Sequence, residues 1–384
     1  MPLTRRKFVT SVIGAPVFLT SIPSLALDRW QRTLVLVELN GGNDGLNTVV
    51  PYADPLYRPL RPELAVPADK VLQLDERLGL HPELERLMPL WADREMAVVL
   101  GVGYPEPNFS HFRSIDIWET ATEEHRFAEE GWITRTFREG RPPASLAADG
   151  IVLGRNDPGP LTGYGSRIVN LKRLRSLKKQ RQKLKTPNIT RENSGLTHVI
   201  KTQDRINHAA RKLVEKNLDK VALKGEFPAH SFGKQMELAA RLIAGGSGIP
   251  VIKCSLGGFD THAGQIYRHP RLMGKLAGGL SAFTQTMKAA GLWDKILVMT
   301  YAEFGRRPKE NASGGTDHGT AAPHFMLGGR VRGGFYGEQP PLDQLRNENL
   351  EHRVDFREMY AAVARDWWGL KAEFLSTKAL SVIV

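Results

Sequence analysis

The sequence predicts an α/β protein built on a buried, largely parallel sheet, and three observations carry that expectation. Three short apolar runs rich in β-branched residues, TLVLVEL, VIKCSL and KILVMTY, read as strands covered on both faces. Each run leads into a glycine-containing segment that bears carboxylate or imidazole side chains: GGNDG (Gly41 to Gly45), GGFDTH (Gly257 to His262) and AEFGRR (Ala302 to Arg307). A fourth such loop, GGTDHG (Gly314 to Gly319), follows the third. Residues delivered from the C-terminal ends of parallel strands meet at the edge where open α/β sheets bind ligands.

The elements follow in order. TLVLVEL leads to the first loop, and Pro82 to Asp93 reads as a helix with apolar Leu84, Leu87, Leu90 and Trp91. MAVVLGVG is a second buried strand, and Asn108 to Glu119 begins a helix with Ser110 near its N-terminus. A dense run of Lys and Arg lies between Lys172 and Lys185, with leucines at near-helical spacing, inside a helical insert expected over about 166–246. VIKCSL resumes the sheet, and GGRVRGGFYGEQPP reads as turns and short strands. VDFREMYAAVARDWWGL closes the chain as an amphipathic helix capped by Asp355.

The N-terminus reads as a targeting segment. Residues 1–26 combine Arg5, Arg6 and Lys7, a mildly apolar stretch broken by Gly14, Pro16 and Pro23, and a small-residue close at Ser24-Leu25-Ala26. The paired arginines resemble the twin-arginine type, so the expected partner is that export machinery and the expected location is periplasmic or secreted. The stretch is too short and polar for a membrane span, and no later segment approaches one. Residues 30–384 are then expected as a single domain. Loss of the segment lowers the formal net charge from +12 to +9, which favours an anionic small-molecule or polymer substrate. Nucleic acid is not the expected partner, because the basic run reads first as a solvated helix face. The single Cys254 excludes an intrachain disulfide framework.

The chemistry concentrates in the four loops. Asp44, Asp260, His262, Glu303, Asp317 and His318 are hard oxygen and nitrogen donors, the set a divalent cation prefers. Gathering them at one sheet edge without a cation is costly. Ser110, at a helix start, is the candidate nucleophile, with His111 as its base. Arg113, Arg306 and Arg307 are candidate oxyanion clamps, since guanidinium matches phosphate and sulfate in a bidentate way.

GGNDGLNTVVPY, GVGYP with the later SHFRS, GGFDTHAGQ, EFGRR, SGGTDHGTAAP and DFREMYAAV, in that order from Arg32 to Leu370, resemble the DUF1501 family. That family is grouped with the alkaline phosphatase-like superfamily of sulfatases, phosphodiesterases and cofactor-independent phosphoglycerate mutases. The resemblance implies an alkaline phosphatase-like, largely parallel sheet flanked by helices on both faces, with a metal centre. It implies Asp44, alone or with Asn43, as the first-strand carboxylate, Ser110 as nucleophile, Asp260 and His262 on one ion, Glu303 after the later strand and His318 as the last imidazole. Phe304 stands where the superfamily carries an imidazole, and no Cys occupies the nucleophile position. The expected cofactor is one or two divalent ions, Zn, Mg, Mn or Ca. The expected function is hydrolysis of phosphate or sulfate esters by a metal-activated Ser or hydroxide, the alternative being a non-catalytic periplasmic binding or assembly protein that keeps the fold, with or without one ion.

Overall fold

The structure, a computed structural model, describes residues 29–172 and 218–384. The targeting segment and nearly all of the basic run fall outside these residues. Nine strands form one sheet: β1 (Thr33–Asn40), β2 (Met96–Gly103), β3 (Gly150–Leu153), β4 (Ile168–Leu171), β5 (Val251–Gly257), β6 (Ile296–Tyr301), β7 (Ala322–Leu327), β8 (Gly334–Tyr336) and β9 (Val354–Asp355). Their order is β8-β2-β7-β6-β1-β5-β3-β4, with β9 also pairing to β2. Every pairing is parallel except the two made by β7. The three apolar runs are therefore neighbours, β6-β1-β5, at the centre of the sheet, where their continuous burial puts them.

Five principal helices cover the sheet: α1 (His111–Thr120), α2 (Trp132–Glu139), α3 (Ser231–Ala244), α4 (Gln265–Ala289) and α5 (Phe356–Ala361), the last running on as a π turn over Ala362–Trp367. Alternation along β1 sorts the two faces. Val35, Val37 and Leu39 pack with Phe232 and Met236 of α3 and Leu276 and Phe283 of α4. Leu34 and Leu36 belong to the opposite layer, with Ile117 and Trp118 of α1, Trp132 of α2 and Tyr360 of α5. The α/β class, the mostly parallel sheet and the helices on both faces agree with the sequence reading.

Local differences have identifiable causes. Pro82 to Asp93 is not one helix: a 3₁₀ segment (Pro82–Leu87) gives way to a short α segment (Met88–Ala92), because Pro89 has no N–H to continue the ladder. The stretch expected as a helical insert contributes at both described ends to the main fold, as strand β4 and as helix α3, which packs on β5. Asp355 caps α5 as expected, accepting from the Arg357 amide.

One buried charge cluster sits inside this frame. Lys253 of β5, 1% exposed, places Nζ 2.7 Å from Glu119 Oε1 and 3.5 Å from Glu38 Oε2. Tyr301 donates to the same Glu119 oxygen at 3.2 Å. Burial, helped by Asp157 and Glu38 and opposed by Lys253, pushes Glu119 up to about 7 from an ordinary 4.5. Burial alone would lower Lys253, but the three carboxylates outweigh it and hold the ammonium charged. Lys253→Met should strand the acids and lower unfolding free energy by about 3–5 kcal/mol in denaturant titrations. Because the folded Glu119 binds its proton more tightly than the unfolded chain does, its contribution is complete below pH 4.5 and is lost as pH rises through about 7. Glu119→Gln should remove that slope from the stability profile.

Candidate metal centre

The centre forms at the C-terminal ends of β5, β1 and β6. The turn after β5 carries Asp260 and His262, the turn after β6 carries Glu303, and the start of α1 brings Ser110 and His111 from the far side. The GGTDHG loop is instead largely a strand: Thr316–His318 pairs antiparallel with Arg306–Glu310 in a two-stranded hairpin. The close approach of these pieces depends on glycine. Gly41 has φ +117°, and any Cβ there would collide with the Asp260 amide. A Cβ at Gly315 would likewise strike the His262 backbone.

Three imidazoles surround Asp260. His262 Nε2 lies 3.1 Å and His318 Nε2 3.3 Å from Asp260 Oδ1, and the two ring nitrogens are 3.0 Å apart. His111 Nε2 is 3.5 Å from Asp260 Oδ2. One ligand atom each from His111, Asp260 and His318 falls within a 4.8 Å span.

The other ring nitrogens explain why the Nε2 atoms face inward. His111 Nδ1 is 2.9 Å from Glu303 Oε1, His262 Nδ1 is 3.3 Å from Asp317 Oδ1, and His318 Nδ1 is 2.8 Å from the Phe109 carbonyl. All three partners can only accept, so each Nδ1 carries the proton and each Nε2 presents a lone pair. His111, Asp260 and His318 are the three groups whose ligand atoms all lie close together, and they fit a single divalent ion after a small inward shift. His262 borders this group through Asp260 and His318.

The charges in the cluster act on one another in different directions. Burial would raise Asp260, but the hydrogen bond and charge of Arg306, with His318 and His262, hold it down at about 2. The Glu303 hydrogen bond raises His111 against the lowering effect of burial. Burial lowers His318, and Arg306 and His111 add to the effect. The Asn311 hydrogen bond leads in keeping Asp317 low.

Several expected roles are redistributed. Asp44 does not join the centre. Its Oδ2 is 2.6 Å from Arg61 Nη1 and also accepts from Gln265, all fully buried, and Gln265 in turn accepts from Thr261 and Thr316. Burial would raise Asp44, yet Arg61 and its neighbours hold it charged and low. Asp44 thus anchors the loops beneath the centre. Glu303, 1% exposed, orients His111 and accepts from the Gly41 amide at 2.9 Å. Asp317 orients His262. Arg306 is 1% exposed and spends its donors on Gly42, Thr316, Gly41, Phe259 and Asp260, so it is no oxyanion clamp. Arg113 is bound by Asp116 and by the carbonyls of Glu123, Glu124 and Arg126. Arg307 pairs with Glu348 at 2.5 Å. Phe304, where the resemblance placed an imidazole, packs its ring 4.4 Å from His318 and 5.0 Å from His111 as an apolar floor. Ser110 is exposed at the cap position of α1 with no side-chain capping bond, and its amide donates to Asn108 Oδ1 at 2.9 Å. His111 as a ligand-type residue was missed, although its place beside Ser110 at a helix start was visible.

Fold and site together define an α/β protein with a candidate metal centre of His111, Asp260 and His318 at the C-terminal edge of its sheet. The chain belongs to the family described as Protein of unknown function (DUF1501), whose model matches residues 96–369. No curated protein matches the sequence. Similar solved structures include a phosphonate monoester hydrolase from Silicibacter pomeroyi, at 12% identity over 91% of this chain and 76% of that one, with a TM-score of 0.38. A sulfatase from Pseudoalteromonas sp. is similar at 8% identity over 94% and 77%, with a TM-score of 0.38. The C-terminal periplasmic domain of EcEptC from Escherichia coli, solved as a complex with Zn, is similar at 11% identity over 77% and 72%, with a TM-score of 0.37.

Two substitutions separate the roles. Glu303→Gln should weaken zinc binding about 10–100-fold in chelator competition, because His111 loses the carboxylate that holds it. Asp44→Asn should leave zinc stoichiometry intact but lower stability by about 3–5 kcal/mol, since it uncouples a buried ion pair.

Proposed function

We propose that this chain is an exported, metal-dependent hydrolase of phosphate or sulfate esters. The observation that supports the reading most is the set of three histidines, each fixed through Nδ1, whose Nε2 atoms meet the Asp260 carboxylate at a solvent-reachable point. The side chains of His111, His262 and Asp260 are 36%, 45% and 46% exposed, so an anionic substrate can reach the centre. His111, Asp260 and His318 would hold one divalent ion, with His262 beside them. A donor set led by imidazole nitrogen favours zinc among the candidates, because magnesium and calcium take oxygen donors. Such an ion supplies Lewis-acid charge to an ester oxygen and lowers the pKa of a neighbouring hydroxyl.

The chain's own residues supply the rest. Ser110 is the nucleophile in this reading, free of capping duty and beside a ligand. The first N–H groups of α1 offer hydrogen bonds and positive dipole to an anion at the same place. His111 acts as a ligand, and the base role first considered for it falls away because Glu303 occupies its Nδ1. Glu303, Asp317 and the Phe109 carbonyl hold the three rings in one tautomer. Among the described residues no helix is long and apolar enough to cross a membrane. With the twin-arginine pattern, that supports a periplasmic or secreted location.

One observation favours a second reading, a non-catalytic protein that keeps the fold and one ion: all three arginines expected to steady an oxyanion are engaged by protein groups. Zinc reconstitution followed by assays on aryl phosphates, phosphodiesters and aryl sulfates distinguishes the two. The hydrolase reading expects one equivalent of metal and turnover that Ser110→Ala reduces about a thousandfold or more without loss of metal. Stoichiometric metal with no turnover of any ester would leave the binding protein standing. Zinc affinity should fall as pH drops through the imidazole range near about 6.5, since protons compete for the same Nε2 atoms.

A further inference from the structure

A cavity of about 680 Å³ lies at the β8 end of the sheet, within the size range of small-molecule sites. Its walls come from residues 51–56, 75–78 and 335–343 and from Leu100 of β2. Pro51, Leu78, Leu100, Phe335 and Pro340 line it with hydrocarbon, each of them buried or half-buried. Pro55 and Pro341 join the lining too, and the fixed φ of its four prolines holds the walls in shape before any ligand arrives. The wall after β8 is seated tightly, since a Cβ at Gly337 would lie 2.8 Å from the Leu100 carbonyl oxygen. β8 stands three strands from β6 and four from β1, and the cavity shares no residue with the metal centre.

The charges in the lining are unequal in sign. Asp54, Asp75, Glu338 and Asp343 stand against one guanidinium, that of Arg77, in a chain whose formal net charge is +12. Among the described residues none of these five side chains forms a salt bridge. The backbone fixes two of the acids: Asp75 Oδ1 accepts from the Arg77 and Leu78 amides at 2.8 and 2.6 Å, and Asp54 Oδ1 from the Leu56 amide at 2.9 Å. The four carboxylates do not gather as metal ligands do. Among the described residues only His111, Asp260 and His318 bring three ligand atoms into one small span. Negative charge spread around a hydrocarbon floor suits a large organic cation and not a bare metal ion.

We infer that this cavity binds an organic cation with a hydrocarbon body, an alkylammonium, its chain against Leu78, Leu100 and Phe335 and its charge among the four carboxylates. The inference stands apart from the hydrolase reading, because it uses none of that site's residues. Hydrocarbon leaving water supplies most of the binding free energy, and the carboxylates choose the sign of the ligand. An anion of the same shape would enter among like charges and be rejected.

The test is calorimetric titration of the zinc-reconstituted full chain with octyltrimethylammonium, octanoate and tetramethylammonium, the octyl compounds below their micelle-forming concentrations. Octyltrimethylammonium should bind at one equivalent, about tenfold or more tightly than either of the others, and its affinity should fall as salt is added. Glu338→Gln combined with Asp343→Asn should weaken it about tenfold. Both positions are exposed, so the pair tests binding and not folding. Ala53→Trp, at an exposed position of the lining, should fill the space and abolish binding, and zinc content should be unchanged in every variant. Octanoate binding as tightly as octyltrimethylammonium overturns the inference by removing the choice of charge. Tetramethylammonium binding as tightly overturns it by leaving the hydrocarbon floor unused. No binding of octyltrimethylammonium, or binding that survives both sets of substitutions, also overturns it. Each of these results holds whether or not the chain hydrolyses esters.

Discussion

A single buried guanidinium holds the centre together. Arg306 donates to the Gly41 and Gly42 carbonyls of the first loop, to Phe259 and Asp260 of the second, and to Thr316 across its own hairpin. Most of these carbonyls lie where the sheet ladder has stopped, so the side chain supplies partners that the backbone there does not, while the Phe259 oxygen also accepts from the Thr261 amide. The same group fixes the charge on Asp260, around which the histidines gather. A residue expected to grip substrate instead assembles the loops, and the position of every candidate ligand follows from it.

Much of the architecture was legible in the sequence because its signals are local. The runs at β1, β5 and β6 are mostly apolar and β-branched, the composition that strands buried on both faces favour, with Glu38 and Lys253 tolerated because they pair. Asp260, His262 and His318 were legible as ligand-type residues because they sit in glycine-rich segments just beyond those strands. The misassignments concern partners rather than places. Asp44 has the same local signature as Asp260, and only folding brings Arg61 to it from a stretch with no distinctive pattern. The Glu303 carboxylate was read as a ligand, but its distance to His111 makes it the group that sets a tautomer, and no spacing rule shows that. Pro89, which splits the helix over 82–93, was visible but its consequence was not drawn from the periodicity of the leucines.

The arrangement also places the polar groups of the candidate site and those of the core in separate compartments. The Lys253, Glu119 and Glu38 cluster, the Asp44 and Arg61 pair, and Arg306 are all buried, and each is satisfied mostly by protein groups. His111, His262 and Asp260 are partly open. Buried ions cost several kcal/mol each when unpaired, whereas the open ones can exchange a proton for a cation without disturbing the core.

Phe304 carries a last consequence. Its ring lies against two of the imidazoles and presents them with a hydrocarbon surface that offers no donor atom. The first loop is moulded to that outline: Gly42 packs directly against the ring, and a Cβ there would strike its edge, so a side chain of any other shape at 304 would have to move the loop.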